Sequence, residues 1–234
     1  MLDDRYSLAH RLYPYERSAD QDGAAEAHHP VVIIGGGPVG MAAALDLGLQ
    51  GIATLVLDDH EGVGEGSRAI CFAKRTLEIC DRLGCGDPMV DKGVVWNLGK
   101  VFHGHDKVFD FNLLPEGEHR RPAFINLQQP YFEKFLVERI RQAQGEGAPI
   151  EIRGRNRVEG LDVRDDGARL RIVTPDGPYA ITADWVLACD GAGSPTRKAL
   201  GLGFDGKVFQ DSFLIADVRM KADFPTERWF WFQP

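Results

Sequence analysis

Residues 31–40, Val-Val-Ile-Ile-Gly-Gly-Gly-Pro-Val-Gly, carry a short apolar strand straight into a glycine turn, and Met41-Ala42-Ala43-Ala44-Leu45 follow as the start of a helix. No other stretch constrains the fold as much, because strand, glycine turn and helix in this order form the opening of a dinucleotide-binding unit. The glycines of the G-x-G-x-x-G pattern are Gly35, Gly37 and Gly40, and each answers a different steric demand. A Cβ at Gly35 would hinder the tight turn out of the strand, one at Gly37 would hold a pyrophosphate off the backbone, and one at Gly40 would keep the helix from packing on the sheet. Pro38 completes this phosphate loop. The helix N-terminus behind it, with its unpaired N–H groups and the positive end of its macrodipole, favours an anion. A lone glycine turn between strand and helix also occurs for purely structural reasons, so the flanking sequence decides.

A helix over 39–50 breaks at Gly51, Ile52–Leu57 reads as a second apolar strand, and that strand ends in Asp58, eighteen residues past Gly40. An acid there is placed to accept hydrogen bonds from the ribose hydroxyls of an adenosine, and it would repel a 2′-phosphate. The tightly held ligand is therefore expected to be FAD or NAD(H), not NADP. Asp59 reads as a solvated loop residue.

With 234 residues and 44% apolar content the chain can bury a substantial core. The balance of 27 basic and 35 acidic residues, a net charge of -8, argues against nucleic acid or an acidic membrane surface as partner. Residues 1–29 hold no secretory signal pattern, and Gly35–Pro38 and Asp46 disfavour a membrane span over 31–57, so the expected location is cytoplasmic. Cys71, Cys80, Cys85 and Cys189 show no zinc spacing and read as buried free thiols; no metal site is expected. His103 and His105 read as surface residues, and His28 and His29 as part of a polar linker.

Residues 1–29 are polar, with Tyr13-Pro14-Tyr15 the only adhesive point, and read as an arm draped on a surface; the folded part is expected to start near Pro30. Apolar spacing predicts helices over 69–84, closed by Gly84, and over 130–144, with Pro130 in the first turn. Between them, Val94-Val95-Trp96, Val101-Phe102 and Val108–Phe111 suggest short antiparallel strands of a β-rich piece. Val158–Val163, Ala168–Val173 and Tyr179–Thr182, separated by Asp165-Asp166-Gly167 and Pro175-Asp176-Gly177, form a meander. Trp185–Cys189 then reads as a strand buried on both faces, leading into Asp190-Gly191-Ala192-Gly193-Ser194-Pro195-Thr196-Arg197.

The stretch Trp185–Arg197 resembles the Asp-Gly motif of the class A FAD-dependent aromatic hydroxylases, the single-component flavoprotein monooxygenases that include the p-hydroxybenzoate and 3-(3-hydroxyphenyl)propionate hydroxylases. Its pairing with an N-terminal adenosine fingerprint is far more specific than either motif alone. Ser67-Arg68-Ala69-Ile70 looks like the family loop whose arginine reaches the flavin and its pyrophosphate, and Gln129, followed by Glu133 and Leu136, looks like the family glutamine near the ribityl chain. The resemblance thus implies FAD contacts for Arg68, Gln129, Asp190, Gly191, Ser194 and Arg197. The plainer alternatives are a surface ion pair for Arg68, a helix N-terminal position for Gln129, and a turn aspartate capping the next helix for Asp190.

The resemblance further implies an α/β fold: a Rossmann-like FAD-binding βαβ domain with a β-meander (30–89 and 123–205) and part of a β-rich substrate domain (90–122 and 206–234). It implies NAD(P)H as transient reductant of the flavin and hydroxylation of a small phenolic substrate with O₂; self-association as a homodimer is compatible with it. No catalytic acid or base can be named from a motif. The family's third motif, Gly-Asp followed by small residues and His, has no counterpart, and the chain closes on Phe230-Trp231-Phe232-Gln233-Pro234, which reads as the interior of a β-domain. An incomplete, by itself inactive polypeptide is therefore expected. The rival readings are a non-catalytic FAD-binding fragment and an NAD-dependent dehydrogenase; the latter lacks an evident Tyr-x-x-x-Lys or His-Asp constellation.

Overall fold

The computed structural model describes residues 12–63, 70–214, 216, 218 and 221–233. Strand β1 (Ala27–Ile34) alternates in burial over its first half and is wholly buried over Val31–Ile34. The turn after it leads into α1 (Pro38–Leu49), where proline in the first turn loses no helical hydrogen bond. Next come β2 (Thr54–Leu57), β3 (Cys71–Ala73), α2 (Lys74–Leu83) and α3 (Gly86–Lys92). Three short strands follow, β4 (Val94–Trp96), β5 (Leu98–His103) and β6 (Asp106–Asn112), and then β7 (Phe124–Asn126) and the long helix α4 (Gln129–Gly145). The chain continues through β8 (Ile150–Arg153), β9 (Arg157–Arg164), β10 (Gly167–Thr174) and β11 (Gly177–Ala188) to α5 (Pro195–Ala199) and β12 (Arg228–Phe232).

The main sheet has six strands in the order β8-β2-β1-β11-β10-β9. The pairs β8–β2, β2–β1 and β1–β11 are parallel; β11–β10 and β10–β9 are antiparallel. Strand period two sends Val31 and Ile33 to one face and Val32 and Ile34 to the other, and each face has its own core. On the helical side Ile33, Met41, Leu45, Leu136 and Ile140 are fully enclosed; on the meander side Val32, Leu170, Ile172 and Ile181 are. Each such side chain contributes on the order of 1.5–3 kcal/mol on burial. Because β8, β2, β1 and β11 run parallel, the four segments that leave their carboxyl ends all emerge at one rim of the sheet. That rim is where ligands bind in open α/β sheets.

A second sheet pairs β5 with β6 and, on its other side, in parallel, with β12, so residues from 98–112 and 228–232 share one layer. A third, β3-β7-β4, joins the strand before α2 to the one before α4.

Four expectations change. The segment 69–84 opens as β3, not as helix: Cys71–Ala73 pair with Asn126–Phe124, and Phe72 stacks on Phe132 at 4.4 Å, so tertiary pairing outweighs the apolar spacing. Val94–Trp96 belongs with β7 rather than with the β5–β6 hairpin. Tyr179–Thr182 and Trp185–Ala188 are one strand, and its later half is not buried on both faces. Trp185 is 72% exposed, because the β10 register ends at the pair Ala168–Ala183 and leaves that half partnered only by β1.

The fourth change concerns the arm. β1 begins at Ala27, so His28 and His29 are strand residues and not linker, and Tyr13 is buried in the helix-side core. Asp20 accepts hydrogen bonds from Arg153 Nη1 at 2.7 Å and lies 2.8 Å from His29 Nε2. Burial opposes charge on Asp20, but these two partners hold its carboxyl below the ordinary carboxylate value.

Candidate functional site: a dinucleotide cleft at the sheet rim

The β1–α1 turn is built around contacts that only glycine permits. Gly35 adopts φ +106°, its N–H donates to Leu57 O at 2.8 Å, and a Cβ there would lie 2.5 Å from Cys189 O, so the turn threads between the ends of β2 and β11. A Cβ at Gly40 would lie 1.9 Å from Gly35 O, which is how closely α1 presses on the turn. Gly37 differs: a Cβ there meets nothing within 4 Å. It faces open space at the N-terminus of α1, and that helix start has no side-chain cap. The three glycines thus divide into two that close the turn and one that keeps the approach to a helix N-terminus clear, the shape a pyrophosphate requires.

Asp58 stands beside this turn at the end of β2. Its Oδ2 accepts the Gly36 N–H and its Oδ1 accepts the His60 N–H at 2.7 Å. Burial pushes the Asp58 carboxyl above its ordinary value, against the pull of those two amides. Asp58, Asp59 and His60 bring ligand-type atoms within 4.8 Å of one another, but both Asp58 oxygens already accept backbone N–H groups, so the turn itself accounts for this cluster.

On the opposite wall, α4 presents Gln129, whose Nε2 donates to buried Glu133 Oε1 at 2.6 Å. The loop after β11 supplies Asp190 and Gly191. Asp190 Oδ1 accepts from Ser194 Oγ at 2.6 Å and Oδ2 from Thr196 N–H at 2.9 Å, which holds the loop against α5. Burial works against charge on Asp190, yet these hydrogen bonds keep its carboxyl below the usual range. The capping alternative for Asp190 is thus realised, and Asp190 lines the cleft as well.

These walls enclose about 370 Å³, with Gly35, Gly37, Pro38, Asp58, Gln129, Asp190 and Gly191 all on the lining. Ser194 and Arg197 are not on it. Ser194 Oγ caps the Arg197 N–H at 2.9 Å, and the Arg197 guanidinium donates to Ala192 O at 2.8 Å and lies 4.6 Å over the Phe204 ring. Both hold the loop from behind. Arg68 lies outside the described residues. Two wall residues have no signal in the sequence that assigns them to a site. Asn156, 1% exposed, donates its own N–H to Asp58 O at 2.7 Å and accepts from Tyr179 OH at 2.7 Å; nothing in its local sequence marks it. Tyr13 is legible only as an adhesive point in a polar arm.

A cleft of this construction at the carboxyl rim of the parallel strands of a mixed sheet defines a dinucleotide-binding α/β protein. The chain belongs to the FAD binding domain family, which matches it over residues 28–233. It is 30% identical over 191 residues to para-nitrophenol 4-monooxygenase of Pseudomonas sp. strain WBC-3, an alignment covering 80% of this chain and 46% of that protein. It is 31% identical over 215 residues to a probable NADH-specific resorcinol 4-hydroxylase of Rhodococcus jostii strain RHA1, covering 88% and 39%. The crystal structure of p-nitrophenol 4-monooxygenase PnpA from Pseudomonas putida DLL-E4 superposes with a TM-score of 0.72 at 31% identity, over 79% of this chain and 46% of that one. The chain thus spans less than half the length of these relatives. The family narrows the choice between FAD and NAD(H) to FAD.

If Asp58 receives the adenosine ribose, Asp58→Ala should weaken FAD binding by roughly 1–3 kcal/mol, the range for a lost charge-assisted hydrogen bond. Asp58→Asn should not rescue it, because a side-chain NH₂ would face one of the two backbone N–H donors. Flavin titration of both variants checks this; wild-type affinity in Asp58→Ala would remove Asp58 from the site.

Proposed function

We propose that this chain holds the FAD of an aromatic-ring monooxygenase that uses NAD(P)H and O₂ to hydroxylate a small phenolic substrate. The observation that carries the reading is the convergence of the glycine turn, Asp58 and the Asp190 loop on one cleft, although 132 residues separate Asp58 from Asp190 in sequence (190 − 58). Bound flavin supplies the chemistry, accepting a hydride from NAD(P)H and activating O₂ for transfer of a hydroxyl to an electron-rich ring.

The chain's own residues bind and orient. The backbone of Gly35–Gly37 and the N-terminus of α1 receive the pyrophosphate, and Asp58 the adenosine ribose. Gln129 and the Asp190–Gly191 loop face the flavin end, with Ser194 and Arg197 stiffening that loop; a flavin contact for Arg68 rests on the family resemblance alone. The FAD-binding domain takes in residues 27–96 and 123–205, since β4 pairs with β7, and the β5–β6–β12 layer is part of a substrate domain. The nitrophenol and resorcinol named for the relatives support a phenolic substrate, and the NADH named for one of them supports a nicotinamide reductant. A cytoplasmic location fits this reading; no helix among the described residues is long and apolar enough to cross a membrane.

The coverage of less than half of the relatives favours a second reading for the chain taken alone: an FAD-holding fragment without hydroxylase activity. The visible spectrum of the purified protein, after addition of FAD and desalting, tests the shared premise. Retained flavin absorbance is expected; a colourless protein that binds NADH instead would restore the dehydrogenase reading. Phenol hydroxylation by the 234-residue chain, with NAD(P)H and no added polypeptide, would discard the fragment reading.

A further inference from the structure

The family match begins at residue 28, yet an ordered segment precedes it and reaches the cleft. Tyr13 donates its N–H to Glu61 O at 3.1 Å and its hydroxyl to Gly62 O at 3.0 Å, so one residue ties down two successive carbonyls of the loop that follows Asp58. Its carbonyl sits so close to the β8–β9 turn that a Cβ at Gly154 would lie 2.0 Å from it. The ring is 7% exposed and forms part of the cleft lining beside Asp58. Farther along, the segment is fastened twice more: Asp20 pairs with buried Arg153 at 2.7 Å, and Tyr15 OH donates to Asp176 Oδ2 at 3.0 Å.

We propose that residues 12–22 form a strap across the adenosine side of the FAD cleft, with Tyr13 as a positioning residue that fixes the Asp58–Val63 loop for ribose binding. The inference rests on the FAD reading above. The loop needs such a tie because its tip is exposed at Asp59 and His60 while Asp58, at its root, must present a carboxylate in one orientation. Further backbone ties of this loop come from the end of β8 and the β8–β9 turn: Asp58 N–H to Arg153 O at 3.1 Å, Asn156 N–H to Asp58 O at 2.7 Å and Arg155 N–H to His60 O at 2.8 Å. That turn is itself packed against the Tyr13 carbonyl through Gly154. Removing the strap's grip therefore loosens the loop from both sides, and the cost falls on the adenosine end of the ligand alone.

ADP is the appropriate probe, since it carries that end without the flavin. In Tyr13→Phe the ring and its packing remain and one hydrogen bond is lost, so the Kd for ADP and for FAD should rise about fivefold, as expected for one neutral hydrogen bond. Gly154→Ala, whose added carbon crowds the strap carbonyl and also the loop at His60 O (3.0 Å) and Glu61 Cα (3.1 Å), should weaken ADP in the same direction. Measured well below the melting temperature, where every molecule is folded, affinity is insensitive to global stability. A merely structural tyrosine would lower the melting temperature and leave ADP binding as in the wild type, and that result would overturn the strap. A wild-type protein that binds neither FAD nor ADP would overturn the FAD reading and the strap together, whereas wild-type binding with unaltered variants overturns the strap only.

Discussion

Gly37→Val is expected to fold like the wild type and to lose FAD by far more than about 1.4 kcal/mol, a tenfold change in affinity. The two halves of that result have separate causes. Gly37 has φ −76° and ψ −175°, extended backbone open to any residue, and no protein atom lies within 4 Å of where its Cβ would be, so the apoprotein gains no clash. Isopropyl bulk would instead occupy the space in front of the α1 N-terminus, where the pyrophosphate must approach the backbone. Circular dichroism with flavin titration separates the two effects. A variant that folds and binds FAD with wild-type affinity would show that the pyrophosphate does not pass Gly37.

Gly40→Ala should do the reverse, destabilising the apoprotein by about 3 kcal/mol, the upper end of the usual overpacking cost. The single added carbon would sit 1.9 Å from Gly35 O and 3.3 Å from Ile33 Cγ2, and neither can retreat easily. Gly35 is fixed by its bond to Leu57 O and by its proximity to the end of β11, and Ile33 lies in the fully buried second half of β1. Relief would require α1 to lift from the sheet, pulling Met41 and Leu45 out of the core. A drop in the chemical-denaturation midpoint is the expected readout; wild-type stability would mean that helix and turn are less tightly packed than these distances require. Taken together, the two substitutions distinguish a glycine kept for the ligand from one kept for the fold, three positions apart in one motif.

The difference between these glycines is legible in the amino-acid sequence alone, since the G-x-G-x-x-G spacing assigns distinct steric jobs to its members. So are β1, α1, β2 and the acid at the end of β2, because each rests on local periodicity: strand alternation, helix spacing, a glycine break. The 69–84 segment is misread on the same grounds. Its apolar residues fit a helix, but Cys71–Ala73 gain more from pairing with Phe124–Asn126, fifty residues away, than from a first helical turn. The later half of β11 is misread for a related reason, since whether an apolar run is covered depends on how far its neighbour extends, and β10 ends at Ala168.

What the sequence by itself determined was therefore the glycine turn, the acid at the end of β2 and the Asp-Gly loop after β11, features marked by residue type and local spacing. Only the tertiary structure decided that these segments meet. Parallel pairing of β1 with both β2 and β11 brings Asp58 and Asp190 to one rim, and no spacing rule relates two residues joined through a sheet. It also decided that Asn156 and Tyr13 belong to that rim. Their roles come from contacts with backbone carbonyls and amides, at Asp58, Glu61 and Gly62, and every residue carries those groups, so no local pattern can announce them.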